Sequence, residues 1–276
     1  MKIIIKILSI LVIIIVLTIS YLSIFGLNTK KFNNQIKNKI TSLNQRIDIN
    51  LKEVNFLLNP FNFTIKIKTL ETKIIIGKNL LELENIKSNI SLKSLINREF
   101  LLDNLSISTK ALRINDIILL ARSFKNSPQL FLLNKIIKDG YLVGNINLNF
   151  DKNGKIKNDY LITGFVKNGK LNFLKKYNIE NLNLLFNITE KNYSLEEISA
   201  NLNKFQLSSA TLIIEEKKDL FFIKGNILTT EKNNYIRLLR EISQNYLKNL
   251  NIENIQLNSK NNFSFNINKK LKFDNF

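Results

Sequence analysis

The chain has 276 residues, with 41 Lys and Arg against 22 Asp and Glu, for a formal net charge of +19. It contains no Cys and no His, which excludes disulfides, thiolate and iron–sulfur chemistry, and every catalytic arrangement built on an imidazole. Any reaction would fall to carboxylates, Lys, Tyr or Ser; no spacing of these forms a catalytic constellation, so a non-enzymatic protein with no cofactor and no metal site is expected.

The chain begins with an anchor. Residues Ile7 to Phe25 form an uncharged run, ILSILVIIIVLTISYLSIF. At about 1.5 Å per residue it spans roughly 28 Å, close to the ~30 Å hydrocarbon thickness of a bilayer. A cleaved signal peptide is the competing reading, but it would carry a shorter apolar core and a small-x-small cleavage site. Ser23-Ile24-Phe25-Gly26 supplies no such site. Residues 1–27 are therefore expected to be an uncleaved transmembrane segment. Lys2 and Lys6 precede the run, and by the positive-inside tendency they hold the N-terminus in the cytoplasm and send the rest of the chain across. Lys30 and Lys31 reduce that asymmetry. No second segment approaches the length needed, so a single crossing is expected.

Residues 28–46 read as an amphipathic juxtamembrane helix. Phe32, Ile36, Ile40, Leu43 and Ile47 recur at helical spacing, with Lys31, Lys37, Lys39 and Arg46 elsewhere,. Such a helix either lies on the membrane surface or caps the sheet that follows.

From Ile47 onward the period changes to two, and residues 47–276 read as one β-rich domain. Phe61, Phe63, Ile65 and Ile67 alternate with Asn62, Thr64, Lys66 and Lys68 after a turn at Asn59-Pro60,. The pattern returns at Ile146, Leu148 and Phe150, at Leu182, Leu184, Phe186 and Ile188, and at Phe263, Phe265 and Ile267. Each such strand presents one apolar and one polar face. Asn153-Gly154 and Asn168-Gly169 read as hairpin turns,. The adjacent pairs Glu196-Glu197 and Glu215-Glu216 read as marks of polar turns rather than as paired acids,.

Helical insertions are expected near 116–139 and 234–248. The first runs from Asp116 to about Phe124. A second follows Ser127 as N-cap and Pro128 as first helical residue, and continues past Ile137 to Gly140 as its C-terminal glycine,. The third carries Ile236, Leu239, Ile242 and Tyr246 on one face. A phrase also repeats: Leu83-Glu84-Asn85-Ile86, Ile179-Glu180-Asn181-Leu182 and Ile252-Glu253-Asn254-Ile255 each stand at a strand of this kind. The chain stops at Lys272-Phe273-Asp274-Asn275-Phe276, within strand-like alternation, which is expected of the N-terminal portion of a longer protein.

Lys is scattered as isolated residues on polar strand faces, alongside abundant Asn and Ile, as a biased composition produces. No basic stripe with stacking aromatics accompanies it, so nucleic acid is not an expected partner. Three helices are few for about a dozen strands. The apolar face is then either closed by a second layer of sheet or left open to something that is not protein.

The Lys-flanked anchor, the segment 28–46, and the strand phrases Ile47-Asp48-Ile49-Asn50-Leu51, Pro60-Phe61-Asn62-Phe63, Leu83-Glu84-Asn85-Ile86 and Ile90-Ser91-Leu92 carry a resemblance. So does the stretch from Gly140 to Phe173, with Gly164-Phe165-Val166-Lys167-Asn168-Gly169-Lys170-Leu171 near its end. Together they resemble the AsmA-like superfamily of bacterial envelope proteins, of the YhdP and TamB type. The resemblance implies an inner-membrane-anchored, periplasmic, elongated and curved (U-shaped) antiparallel β-sheet with an apolar inner face. It implies phospholipid binding or conduction in support of outer-membrane lipid homeostasis. The chain is far shorter than members of that type. On this reading the candidate acyl-chain contacts are Phe61, Phe63, Ile65, Ile67, Ile146, Leu148, Phe150, Leu182, Leu184, Phe186, Phe263 and Phe265. The alternative is a non-enzymatic scaffold that assists outer-membrane protein assembly through its sheet edge.

Overall fold

A helix of 23 residues, α1 (Lys2–Ile24), begins the computed structural model, which describes residues 2–43, 45, 47–77, 79–93, 102–124, 127–151, 155–173, 177–203, 205–230 and 258–268. Ile3–Ile24 has a mean hydropathy of 3.0 with none of its most apolar window buried, so it is long and apolar enough to cross a membrane,. Its few hydroxyls are internally satisfied: Ser9, Thr18 and Ser23 donate to the carbonyls of Ile5, Ile14 and Ile19 at 2.7–2.9 Å,.

The helix passes directly into the sheet. The Phe25 and Gly26 N–H groups both donate to the Tyr21 carbonyl, and Gly26 takes a φ of +68°, a left-handed helix cap. A Cβ on Gly26 would lie 2.5 Å from the Phe56 carbonyl oxygen, so this position needs both the backbone freedom and the missing side chain of glycine. The next residue opens β1 (Leu27–Thr29), which pairs antiparallel with β3 (Glu53–Asn59), Leu27 opposite Phe56.

The described residues are mostly strand. After α2 (Asn33–Leu43) and β2 (Ile47–Asn50) come β3, β4 (Thr64–Leu70), β5 (Thr72–Ile76), β6 (Asn79–Ser91), β7 (Leu102–Thr109) and β8 (Leu112–Arg113). Two helices, α3 (Ile114–Phe124) and α4 (Pro128–Ile136), precede β9 (Ile137–Asn149). The chain continues with β10 (Leu161–Phe173), β11 (Tyr177–Ile188), β12 (Asn192–Leu202), β13 (Phe205–Glu216), β14 (Leu220–Thr230) and β15 (Asn258–Asn268). These form one 15-stranded antiparallel sheet in the order β1-β3-β4-β6-β7-β9-β10-β11-β12-β13-β14-β15, with β2 on β5, β5 on β6, and β8 on β9. β1 and β15 end that order and do not pair with each other, so the sheet is not closed.

The chain divides into two compact units, Met1–Phe131 with Leu142–Gly164, and Leu132–Tyr141 with Phe165–Phe276. In the first unit helices pack on the sheet. Ile36 of α2 joins Phe56 and Ile67 against the buried Ile49, Leu51 and Val54, so α2 caps the sheet, one of the two roles expected of it. Asn33 holds the helix in place by donating to the carbonyls of Leu51 and Lys52, and Lys37 pairs with Asp48 at 2.9 Å. Ile117 and Leu120 of α3 pack on Leu81, Leu83 and Leu112. Where β4 gives way to β5 beside β6, the Ile86 N–H bonds to the Thr69 hydroxyl (3.0 Å), itself hydrogen-bonded to buried Thr72 (2.7 Å).

In the second unit the described strands β10–β15 run as a meander. Bulges form a seam across it. The β11–β12 register slips where Asn181 and Glu197 take positive φ, and each of these inserts an unpaired residue and bends its strand,; Asn168 of β10 also takes a positive φ. Asn168 accepts no turn here: its N–H donates to the Asn183 side chain, and β10 runs straight through it. Asn168-Gly169 therefore lies within a strand, not in the expected hairpin.

Other expectations also shift. α4 is capped by Ser127, whose hydroxyl accepts from Leu130 N–H, but it ends at Ile136, and Gly140 lies inside β9 with a φ of +135°. Glu196-Glu197 and Glu215-Glu216 sit within β12 and β13 rather than in turns. The segment 234–248, Asn153-Gly154, the third copy of the repeated phrase and the last five residues lie outside the described residues.

Candidate functional site

Register decides which side chains share a face, because successive residues on a strand point to opposite sides. In the first unit, Phe56 stands opposite Ile67, Ile67 opposite Ser88, Ser88 opposite Leu105, and Leu105 opposite Leu148. The neighbouring rows on the same face are Leu58, Ile65 and Ile90 on one side and Ile86, Ile107 and Ile146 on the other. Phe150 follows Leu148 by two residues; its N–H donates to the Asp103 carbonyl and it bridges to Ile156. The opposite face is polar apart from Leu57: Leu57, Lys66, Asn89, Asn104 and Asn149 form one row, and Asn55, Lys68, Lys87, Ser106 and Asn147 the next. Five candidate residues, Ile65, Ile67, Ile146, Leu148 and Phe150, are thus brought onto one apolar face.

Phe61 and Phe63 are not among them. Both fall in the turn between β3 and β4, where the Asn59 side chain accepts from Asn62 N–H and Phe63 takes a φ of +49°. They are 93% and 69% exposed, and the strand they were expected to open starts only at Thr64.

In the second unit two apolar rows cross four pairings. Phe186, Leu195, Leu212, Gly225 and Phe263 form one; Ile188, Tyr193, Ile214, Ile223 and Phe265 form the other. Phe263 and Phe265 stack at 5.8 Å between ring centroids. Phe263 also lies over Gly225, where an added Cβ would meet its ring at 3.1 Å, so an aromatic ring fills the space a side chain would otherwise occupy. Leu184 precedes Phe186 by two residues and shares its face. Leu182, one step further, lies against Gly169 of β10. Of these candidate residues Phe186 alone is buried; Leu182, Leu184, Phe263 and Phe265 remain half-buried.

Charge stays on the rims and polar faces. Glu82 binds both Lys73 (3.3 Å) and Lys110 (3.1 Å), and the hydrogen bonds from these two ammonium groups hold its carboxyl below the usual range,. Asp48 is lowered by its hydrogen bond from Lys37. Lys52 and Glu71 form a pair at 2.6 Å that raises the lysine and lowers the glutamate. Lys224 pairs with Glu215 and lies over the Phe222 ring, as does Lys217.

Sequence reasoning did not find the open cleft of about 690 Å³ beside α3, lined by Asp48, Ile75, Ile76, Leu119, Arg122 and Ser123. Its residues come from three separated segments, and no spacing announces them. No family model matches the chain, and no curated protein or solved structure is significantly similar to it.

Proposed function

We propose that this protein is a bacterial inner-membrane-anchored, periplasmic protein that holds phospholipid acyl chains against the apolar faces of its sheet, with headgroups left in water and no covalent step. The observation that carries this reading is the pair of apolar rows in the second unit, five positions long and half-exposed along much of their length. Half-exposed leucine and phenylalanine in register are a surface that gains by being covered, and each acyl CH₂ laid on such a surface contributes about 0.8 kcal/mol. Lipid is within reach of a domain that begins one residue after a membrane-spanning helix cap. No single residue has to be indispensable, since hydrophobic transfer is distributed over area.

The test is in-cell photocrosslinking with the reactive residue placed at Ile223 or Phe265 on the apolar face, and at Lys224 or Ser264 on the opposite face. Phospholipid adducts at the first two positions and not at the second two are the expected result. Crosslinks from Ile223 and Phe265 that stay entirely within the chain would show a closed face and sink the reading.

A second reading rests on β15. It stands at the end of the strand order and pairs only with β14 among the described strands. Its outer edge is a template for strand addition, as in a scaffold for outer-membrane protein assembly. That reading gains if polypeptide, not lipid, is captured by a crosslinker at Asn262 or Ser264.

A further inference from the structure

Among the described residues Phe61 is the most exposed large apolar side chain, more exposed than any large apolar residue of the membrane-spanning helix, and Phe63 sits two residues away at 69%. Isolated surface apolar residues are ordinary. Two phenylalanines held at one hairpin tip are not, and their direction is fixed by register.

β1 leaves α1 at Leu27, and Leu27 stands opposite Phe56 of the antiparallel β3. Leu57, Leu58 and Asn59 therefore extend β3 past the start of β1, on the side from which α1 arrives. Three residues of strand carry the tip roughly 10 Å in that direction, about the length of the last two turns of α1. α1 packs along β3, and the Leu57 side chain lies beside Gly26. The helix marks the same level with exposed aromatics of its own, Tyr21 and Phe25, whose rings are 5.3 Å apart. The tip is braced: Asn59 pairs with Thr64 across its base, and Leu92 N–H donates to the Phe63 carbonyl. Lys66, two residues beyond Thr64 at the base, and Lys93, two residues past the end of β6, are exposed.

We infer that the β3–β4 turn is a second membrane contact, in which Phe61 and Phe63 enter the headgroup–acyl boundary of the leaflet that α1 exits while Lys66 and Lys93 meet anionic headgroups. The occupant is the bilayer that α1 already crosses. The inference depends on that crossing and not on lipid being carried by the sheet faces. Anchor and turn give the first unit two points of attachment, so its strands keep one inclination to the membrane.

The absence of cysteine makes the test direct. The full chain carrying N62C or K110C, labelled with an environment-sensitive fluorophore, is reconstituted into vesicles of phosphatidylethanolamine and phosphatidylglycerol. Lys110 lies at the far end of β7, where its N–H meets the Glu82 carbonyl. The label at 62 is expected to show blue-shifted emission and several-fold stronger quenching by lipid-borne nitroxide than by aqueous iodide, with the reverse at 110. Adding F61S and F63S to N62C is expected to return the label to water. The inference fails if iodide quenches the label at 62 as readily as at 110. It also fails if both positions are lipid-quenched, which is general adsorption, if 62 is shielded from both quenchers, which is cover by protein, or if the double serine change leaves lipid quenching intact.

Discussion

The two units are built from the same alternation of apolar and polar residues, yet they bury it differently. In the first, α2 and α3 lie on the apolar face, and the most deeply buried side chains of the described residues, Leu81, Ile90, Val54 and Thr72, are all found there. In the second, the buried apolar side chains among the described residues are Phe186, Ala200 and Phe205 at 6–9% exposure, and apart from Phe186 the two apolar rows stay half-buried. An apolar strand face is thus not in itself a core. It becomes one where a helix with a matching stripe is delivered onto it, because burial is area removed from water by a partner. The first unit has spent its apolar face on stability; the second retains much of it for something else.

The contrast breaks most visibly under truncation. Leu81→Ala is expected to cost about 2–5 kcal/mol, and Ile214→Ala nearer 1 kcal/mol, because less of the isoleucine leaves water on folding. Urea unfolding in detergent micelles, followed by limited proteolysis within each unit, separates the two; equal costs would mean that the second face is as covered as the first. Gly26→Val comes next. It forces a branched side chain into a left-handed backbone against the Phe56 carbonyl, a strain of about 1–3 kcal/mol. Hydrogen exchange is expected to quicken in β1 and β3 and to stay unchanged in β12–β14; a chain-wide response would make the two units one cooperative body.

The smallest effect is electrostatic. Lowering by Lys110 and Lys73 means that Glu82 stabilises the first unit when ionised. The contribution is present above the usual glutamate range and is lost as pH falls through the lowered native value. Glu82→Gln is expected to remove that acid-side dependence, read as local exchange at the β5–β6 pairing across an acid titration, with the effect shrinking in high salt.

How much of this was legible in the sequence depends on which physical signal carried it. The long apolar N-terminal helix and the polar–apolar alternation at Ile146–Phe150 and Leu184–Ile188 were, because length and period are written in one dimension. Phe61 and Phe63 misled because their spacing continues that of Ile65 and Ile67; only the left-handed backbone at Phe63 separates turn from strand. Gly140 misled because glycine serves a strand with positive φ as readily as a helix terminus. The repeated phrase was visible but its meaning was not. Leu83-Glu84-Asn85-Ile86 and Ile179-Glu180-Asn181-Leu182 both lie inside long strands, and both hold a register slip. It is a bulge phrase: Glu and Asn accept the extra, unpaired position, and the flanking apolar residues return to the apolar face across it. The rows of the candidate site could not be read at all, since they need partners up to dozens of residues apart.

The strand order follows chain order from β9 through β15, and this has a consequence for how the protein comes into being. From β10 to β14 each new strand needs only the one made just before it, so loop closure is short and pairing can advance step by step from an existing edge,. Growth of this kind tolerates a chain delivered gradually, one hairpin at a time. At every stage the newest strand is the sticky one, an open row of N–H and C=O groups awaiting its successor. The rate of supply, rather than the strength of the finished packing, then sets the exposure of that edge to the wrong neighbour.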